Sequence, residues 1–78
     1  MTMYDVVDLA TCNRAEALEF AEKLAELYED VYDVDVEIVK IDEKIEDEVD
    51  KELKKRGFEA SDVVAVVLYC DRLLAVFI

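Results

Sequence analysis

The chain has no histidine, no proline and no tryptophan, and its single glycine is Gly57. Without histidine there is no imidazole to act as a general base or to complete a metal-binding set. One glycine and no proline leave little material for long loops or linkers, so nearly all 78 residues are expected in regular elements. Cationic charge is also scarce: nine Lys and Arg stand against 21 Asp and Glu, a net charge of −12. Such a field repels phosphate backbones and argues against direct nucleic-acid binding. The two cysteines, Cys12 and Cys70, form neither a Cys-x-x-Cys nor a zinc-type spacing. Reduced thiols in a cytosol are the expectation, with a disulfide between them left open because it depends on geometry. No metal and no cofactor are expected.

What is present is apolar or charged, at 55% and 38% of residues, with few uncharged polar side chains. Residues 1–78 are expected to form one small α+β domain, near the lower size limit for a core without staples. The N-terminus carries acids where a signal peptide has cations. The apolar tail breaks at Asp71-Arg72, short of the ~20 residues a spanning helix needs. A soluble cytoplasmic protein without membrane contact is expected. Charge is unevenly spread: residues 29–50 hold eleven acids against Lys40 and Lys44, which is most of the net charge. This segment reads as a solvated face, with a basic protein partner as the functional alternative. Lysine and glutamate enrichment also fits adaptation to high temperature or high salt.

Residues 3–10 favour a strand, with Val6 and Val7 β-branched. Asn13 and Glu16 have the spacing of a capping box, with Thr11 as a competing cap. Between Arg14 and Tyr32, Ala17, Leu18, Phe20, Ala21, Leu24, Ala25, Leu27, Tyr28 and Val31 make a broad helical stripe. Val34, Val36 and Ile38 alternate with Asp35 and Glu37, and Val39 and Ile41 follow, which predicts a second strand. Asp33, Asp35 and Glu37 superficially resemble a calcium loop. The missing glycine and the intervening β-formers make a wet strand face the better reading. Asp42 is expected to cap a second helix that runs to Arg56 and stops at Gly57. Its stripe, Ile45, Val49 and Leu53, is narrow. Two apolar strands, 63–69 and 72–78, close the chain; the two-residue Cys70-Asp71 turn between them lacks the Gly or Asn of a tight hairpin, which leaves a longer loop open.

The order β-α-β-α-β-β predicts a two-layer sandwich: a four-stranded mixed sheet with a C-terminal antiparallel hairpin and both helices on one face. The first two strands should run parallel through a right-handed crossover. The alternative is one helix on each face, as in thioredoxin-like domains. With both helices on one side, the apolar hairpin exceeds what they can cover, and an exposed edge would invite aggregation. A homodimer is therefore expected, with Val64, Val66, Leu68, Leu73, Ala75 and Phe77 as interface candidates.

Cys12 is the candidate thiol, because helix-terminal N–H groups and nearby Arg14 favour a thiolate. The bland alternative is a small residue filling a strand–helix junction. Cys70 reads as an incidental turn residue or a dimer contact. The element order, together with Cys12 after the first strand in ATCNRAEAL, resembles the small sulfur carriers of the SirA/TusA type. In place of that family's Cys-Pro-x-Pro the chain has Cys12-Asn13-Arg14-Ala15. The resemblance implies persulfide transport on Cys12. The order also resembles the Alba nucleic-acid-binding proteins and the C-terminal domain of translation initiation factor three. A glutaredoxin-like reading places a cysteine at the same point, but Ala15 stands where a resolving cysteine would be. The expected function is a small acidic homodimeric accessory or interaction protein, leaning non-enzymatic. A sulfur carrier and an acidic decoy for a basic protein are the alternatives.

Overall fold

The computed structural model describes residues 4–78, and Met3, the first position of the predicted 3–10 strand, lies outside the described residues. Strands β1 (Asp5–Leu9), β2 (Ile38–Lys44), β3 (Ala65–Tyr69) and β4 (Arg72–Phe77) form one sheet. Helices α1 (Arg14–Tyr32) and α2 (Val49–Lys55) supply the crossovers. The order across the sheet is β1-β3-β4-β2. The α+β class, the mixed four-stranded sheet and the antiparallel C-terminal hairpin are as the sequence predicts.

Helix α1 starts where expected, and the Asn13 carboxamide oxygen accepts from the Glu16 N–H at 3.2 Å. The reciprocal half of the capping box is replaced. The Glu16 carboxylate accepts from the Thr11 hydroxyl at 2.9 Å, and Thr11 Oγ1 accepts the Asn13 N–H at 3.1 Å. Helix α2 ends at Gly57, whose φ of 82° suits a residue without Cβ. Phe58 N–H reaches Leu53 O and Gly57 N–H reaches Lys54 O, the paired bonds of a Schellman stop.

Two boundaries differ from expectation. Val34 to Glu37 lie outside the regular strand, which begins at Ile38. Asp42 is no helix cap: β2 continues through it to Lys44, and α2 begins only at Val49. Ile45, Val49 and Leu53 have helical spacing, yet Ile45 lies before the helix and packs with the other two in one core. Tertiary packing supplies the contact that the spacing imitates.

β1 and β3 pair in parallel, while β4 runs antiparallel to both β3 and β2. β1 and β2 therefore point the same way from opposite edges. The crossover β1-α1-β2 traverses the sheet in one direction and β2-α2-β3 returns. If both are right-handed, they must use opposite faces. The core divides accordingly. Ala17, Ala21 and Ala25 of α1 pack on Ala65, Val67, Tyr69, Leu74, Ala75 and Phe77. Leu53 of α2 packs with Tyr4, Val63, Val66, Leu73 and Val76. One helix on each face is thus the arrangement realised, rather than both on one. Alanines at the α1 contact allow close approach to the sheet, while the larger Ile45, Val49, Leu53 and Phe58 seat the α2 segment.

A bulge in β4 completes the sorting. Val67 pairs with Ala75 but Leu68 pairs with Leu73, leaving Leu74 as the extra residue. Leu74 then joins Ala75 and Phe77 beneath α1, while Leu73 joins Val76 beneath α2. Strict alternation would have put Leu74 with Val76.

Candidate functional site

The C-terminal ends of the parallel pair β1 and β3 define one rim of the sheet. Leu9 pairs with Tyr69, so the residues that follow each strand emerge side by side. After β1 come Thr11, Cys12 and the N-terminus of α1; after β3 comes the hairpin turn. This juxtaposition brings together two cysteines 58 residues apart, and Cys12 and Cys70 form a disulfide with a Cα–Cα distance of 5.0 Å. Both cysteines are exposed. Such strand ends are where open sheets with parallel strands commonly present functional groups.

The turn has the two residues that the predicted strands 63–69 and 72–78 leave between them, and the longer loop left open by its lack of Gly or Asn is not formed. Only Cys70 and Asp71 connect β3 to β4, with φ values of 46° and 60°. Positive φ at both central residues is the type I′ geometry, for which Asn-Gly is the usual choice. A cysteine in the left-handed region carries a backbone cost of roughly 1–2 kcal/mol. The disulfide, the paired strands and a bond from Ile45 N–H to Asp71 O hold the turn in place.

Each cysteine is followed two positions later by an arginine, as Cys12-Asn13-Arg14 and Cys70-Asp71-Arg72. Both arginines converge on Asp42. Arg14 Nε donates to Oδ2 at 2.6 Å, Arg72 Nε to Oδ1 at 3.0 Å, and the Tyr69 hydroxyl to Oδ1 at 2.7 Å. Arg72 Nη2 also reaches the Asp42 carbonyl at 2.6 Å. Asp42 sits at φ 54° where β2 shifts register against β4, which turns its carboxylate toward this rim. The Tyr69 and Arg72 bonds, followed by Arg14, hold the Asp42 carboxyl down at about 2. The Tyr69 hydroxyl is raised, first because it donates to Asp42 and then by burial. The two Cys-x-Arg segments are therefore joined twice, covalently through sulfur and electrostatically through Asp42.

Sequence reasoning singled out Cys12 but expected reduced thiols, with a disulfide left open, and the bond between Cys12 and Cys70 corrects that; Cys70 read as an incidental turn residue or a dimer contact. Asp42, Arg72 and Tyr69 were missed as parts of this site. The repeated Cys-x-Arg was the one visible signal. The six interface candidates do not share a face: Val64, Ala75 and Phe77 belong to the α1 side, and Val66, Leu68 and Leu73 to the α2 side. Val66, Leu73, Ala75 and Phe77 are at most 1% exposed within the single chain, while Val64 and Leu68 are half-buried. The bulge at Leu74 and the opposite-face helices are the reason.

A second charged network, around α2, is architectural. Glu52 is 4% exposed, and its carboxylate accepts from the backbone N–H of Glu46 and Asp47 and from Arg56 Nη1. It closes the β2–α2 loop, and the Arg56 bond is the main cause that holds the Glu52 carboxyl down at about 2. Tyr4, buried against Leu53 and Val63, donates its hydroxyl to Asp50; burial first, then Asp50, raises it to about 12. Among the described residues, no helix is long and apolar enough to cross a membrane. No cluster of three or more His, Cys, Asp or Glu there is arranged to hold a metal ion. Family models, curated proteins and solved structures give no match to this chain.

Proposed function

We propose that this chain is a small thiol–disulfide exchange protein whose working group is the Cys12–Cys70 pair. The observation that carries the reading is an exposed disulfide on the rim above a parallel strand pair, with one of its cysteines in left-handed backbone geometry. Exposed or strained disulfides are the labile ones, whereas buried structural disulfides resist reduction. The Cys12 thiolate released on reduction would lie next to the α1 N-terminus, which favours the anionic form. Glutaredoxin-like chemistry wanted a resolving thiol next to Cys12 in sequence. Cys70 takes that part from the far end of the chain.

Equilibration in graded dithiothreitol buffers, followed by acid quench and mass measurement of alkylated thiols, tests the reading. A midpoint above about −300 mV supports exchange; a midpoint below it, the range of structural cross-links, overturns it. The sulfur-carrier expectation shares Cys12 and separates on Cys70. Replacing Cys70 by Ser leaves a persulfide carrier active and abolishes reversible dithiol exchange. A non-enzymatic interaction protein is the second reading, favoured by an apolar stripe on α1 whose Phe20, Leu27 and Val31 are 47%, 56% and 65% exposed.

A further inference from the structure

Among the described residues β1 is an edge strand, paired only with β3 in the sheet order, so its outer N–H and C=O groups face away from the sheet. Beside that edge lies the outer flank of α1. Between them runs a groove of about 290 Å³ lined by Val7, Leu9, Phe20, Lys23, Leu24 and Leu27. Leu24 and Leu27 also line a second hollow of about 200 Å³, which reaches Val31, Tyr28 and Asp5. The apolar track is therefore continuous along most of α1. Its rim is acidic: Asp5 on β1 and Glu16, Glu19 and Glu26 on α1 are exposed, and Lys23 is the one cation among the lining residues.

The groove ends at Leu9, three residues before Cys12. Cys70 belongs to the β3–β4 turn, on the β3 side of Cys12. A sulfur nucleophile displaces its leaving group in line, so attack on Cys12 comes from the side away from Cys70. That side is the free edge of β1. A small thiol has no use for an apolar track leading there, while an extended chain can add to the edge and seat alternate side chains in the groove. The acidic rim selects a cationic chain by charge complementarity.

We propose that the β1–α1 groove receives an extended, lysine- or arginine-rich segment of a dithiol protein and delivers its cysteine to Cys12. The proposal rests on the exchange reading above. The partner thiolate attacks Sγ of Cys12, a new S–S bond forms, and the Cys12–Cys70 bond breaks. The electron pair leaves with Cys70, which takes a proton from water. A second partner thiolate then attacks the partner sulfur of the mixed disulfide and releases Cys12 as a thiolate. The partner is oxidised by two electrons to a disulfide, and the Cys12–Cys70 pair is reduced.

The test measures reduction of the oxidised protein by two dithiols at equal thiolate concentration. One is dithiothreitol; the other is a peptide of alternating Val and Lys, about eight residues long to span the edge strand, with two cysteines at one end. The expected result is a peptide rate at least about tenfold higher, consistent with roughly 1.4 kcal/mol of docking. Phe20→Ser and Leu27→Ser, at exposed positions, should bring the peptide down to the dithiothreitol rate and leave the latter unchanged. A Glu-for-Lys peptide should lose the advantage. Equal rates in the wild-type protein, or a peptide rate indifferent to both substitutions, overturn the groove while exchange stands. Failure of dithiothreitol to reduce the protein above the structural range overturns exchange itself. A dimer in sedimentation equilibrium that Leu27→Ser dissociates shows a second copy in the groove and also overturns the proposal.

Discussion

Cutting the Cys12–Cys70 cross-link, by reduction or as the Cys12→Ser/Cys70→Ser double variant, is expected to cost the fold a large share of its stability. The bond closes a loop of 58 residues. The chain-entropy relation for a loop of that length gives about 4 kcal/mol at 25 °C. Residual contacts in the unfolded chain reduce it, so a loss of about 2–4 kcal/mol is the working expectation. A 78-residue domain has a total of roughly 4–12 kcal/mol to lose. The open form should therefore still fold at 25 °C in most of that range, with its midpoint lowered by about 2 M urea or more, given an m-value of about 1 kcal/mol/M. Urea unfolding followed by far-UV circular dichroism, oxidised against double variant, reads this directly. A shift under about 0.5 M would refute the loop-closure reasoning. Linkage supplies a second check, because whatever folding gains from the disulfide, the disulfide gains from folding. At 30 mV per 1.4 kcal/mol, a 3 kcal/mol gap makes the native disulfide about 60 mV harder to reduce than that of the urea-unfolded chain.

Four smaller expectations follow from the same geometry. The Asp42 carboxyl, held at about 2 by Tyr69, Arg72 and Arg14, lies below its unfolded value, so its stabilising contribution is full above the unfolded value and fades as pH falls toward 2. Urea midpoints between pH 5 and 2 should therefore fall less steeply in Asp42→Asn than in the parent. Glu52→Ala removes the acceptor for the Glu46 and Asp47 N–H groups, and hydrogen exchange at those two amides should accelerate more than at the sheet amides. Asp71→Gly relieves a positive φ of 60° and should raise stability by about 0.5 kcal/mol, read as a higher melting temperature. Phe77→Lys and Val66→Lys place a charge at positions with no exposure inside the single chain. Both should unfold the protein by circular dichroism; a folded, monodisperse variant would contradict the burial.

The elements whose signals are local were legible. Asn13 and Glu16 mark the start of α1, the 14–32 stripe gives its length, and Gly57 ends α2, because caps and periodicity depend on neighbours within a turn. Asp42 misled for the same reason. An aspartate before a run of acids and an apolar residue every fourth position looks like a capped helix. Its true partners, Tyr69 and Arg72, lie 27 and 30 residues away and cannot be seen in a window. The site suffered equally: Cys12 stood out by its position after a strand, whereas Cys70 acquires meaning only when β1 and β3 become neighbours.

The α+β class, the order β-α-β-α-β-β and the need of the two C-terminal apolar strands, 63–69 and 72–78, for cover on both faces could be read from the chain alone. These follow from period, composition and punctuation, which act over a few residues. What covers those strands was set by the strand order and the bulge. The order β1-β3-β4-β2 sends the two crossovers in opposite directions, places one helix on each face and leaves the apolar surplus on the outside of α1. A single extra residue at Leu74 then reassigns the side chains around it to opposite cores. Strand order and register are set by the sum of many distant contacts, and no short stretch of sequence carries that sum.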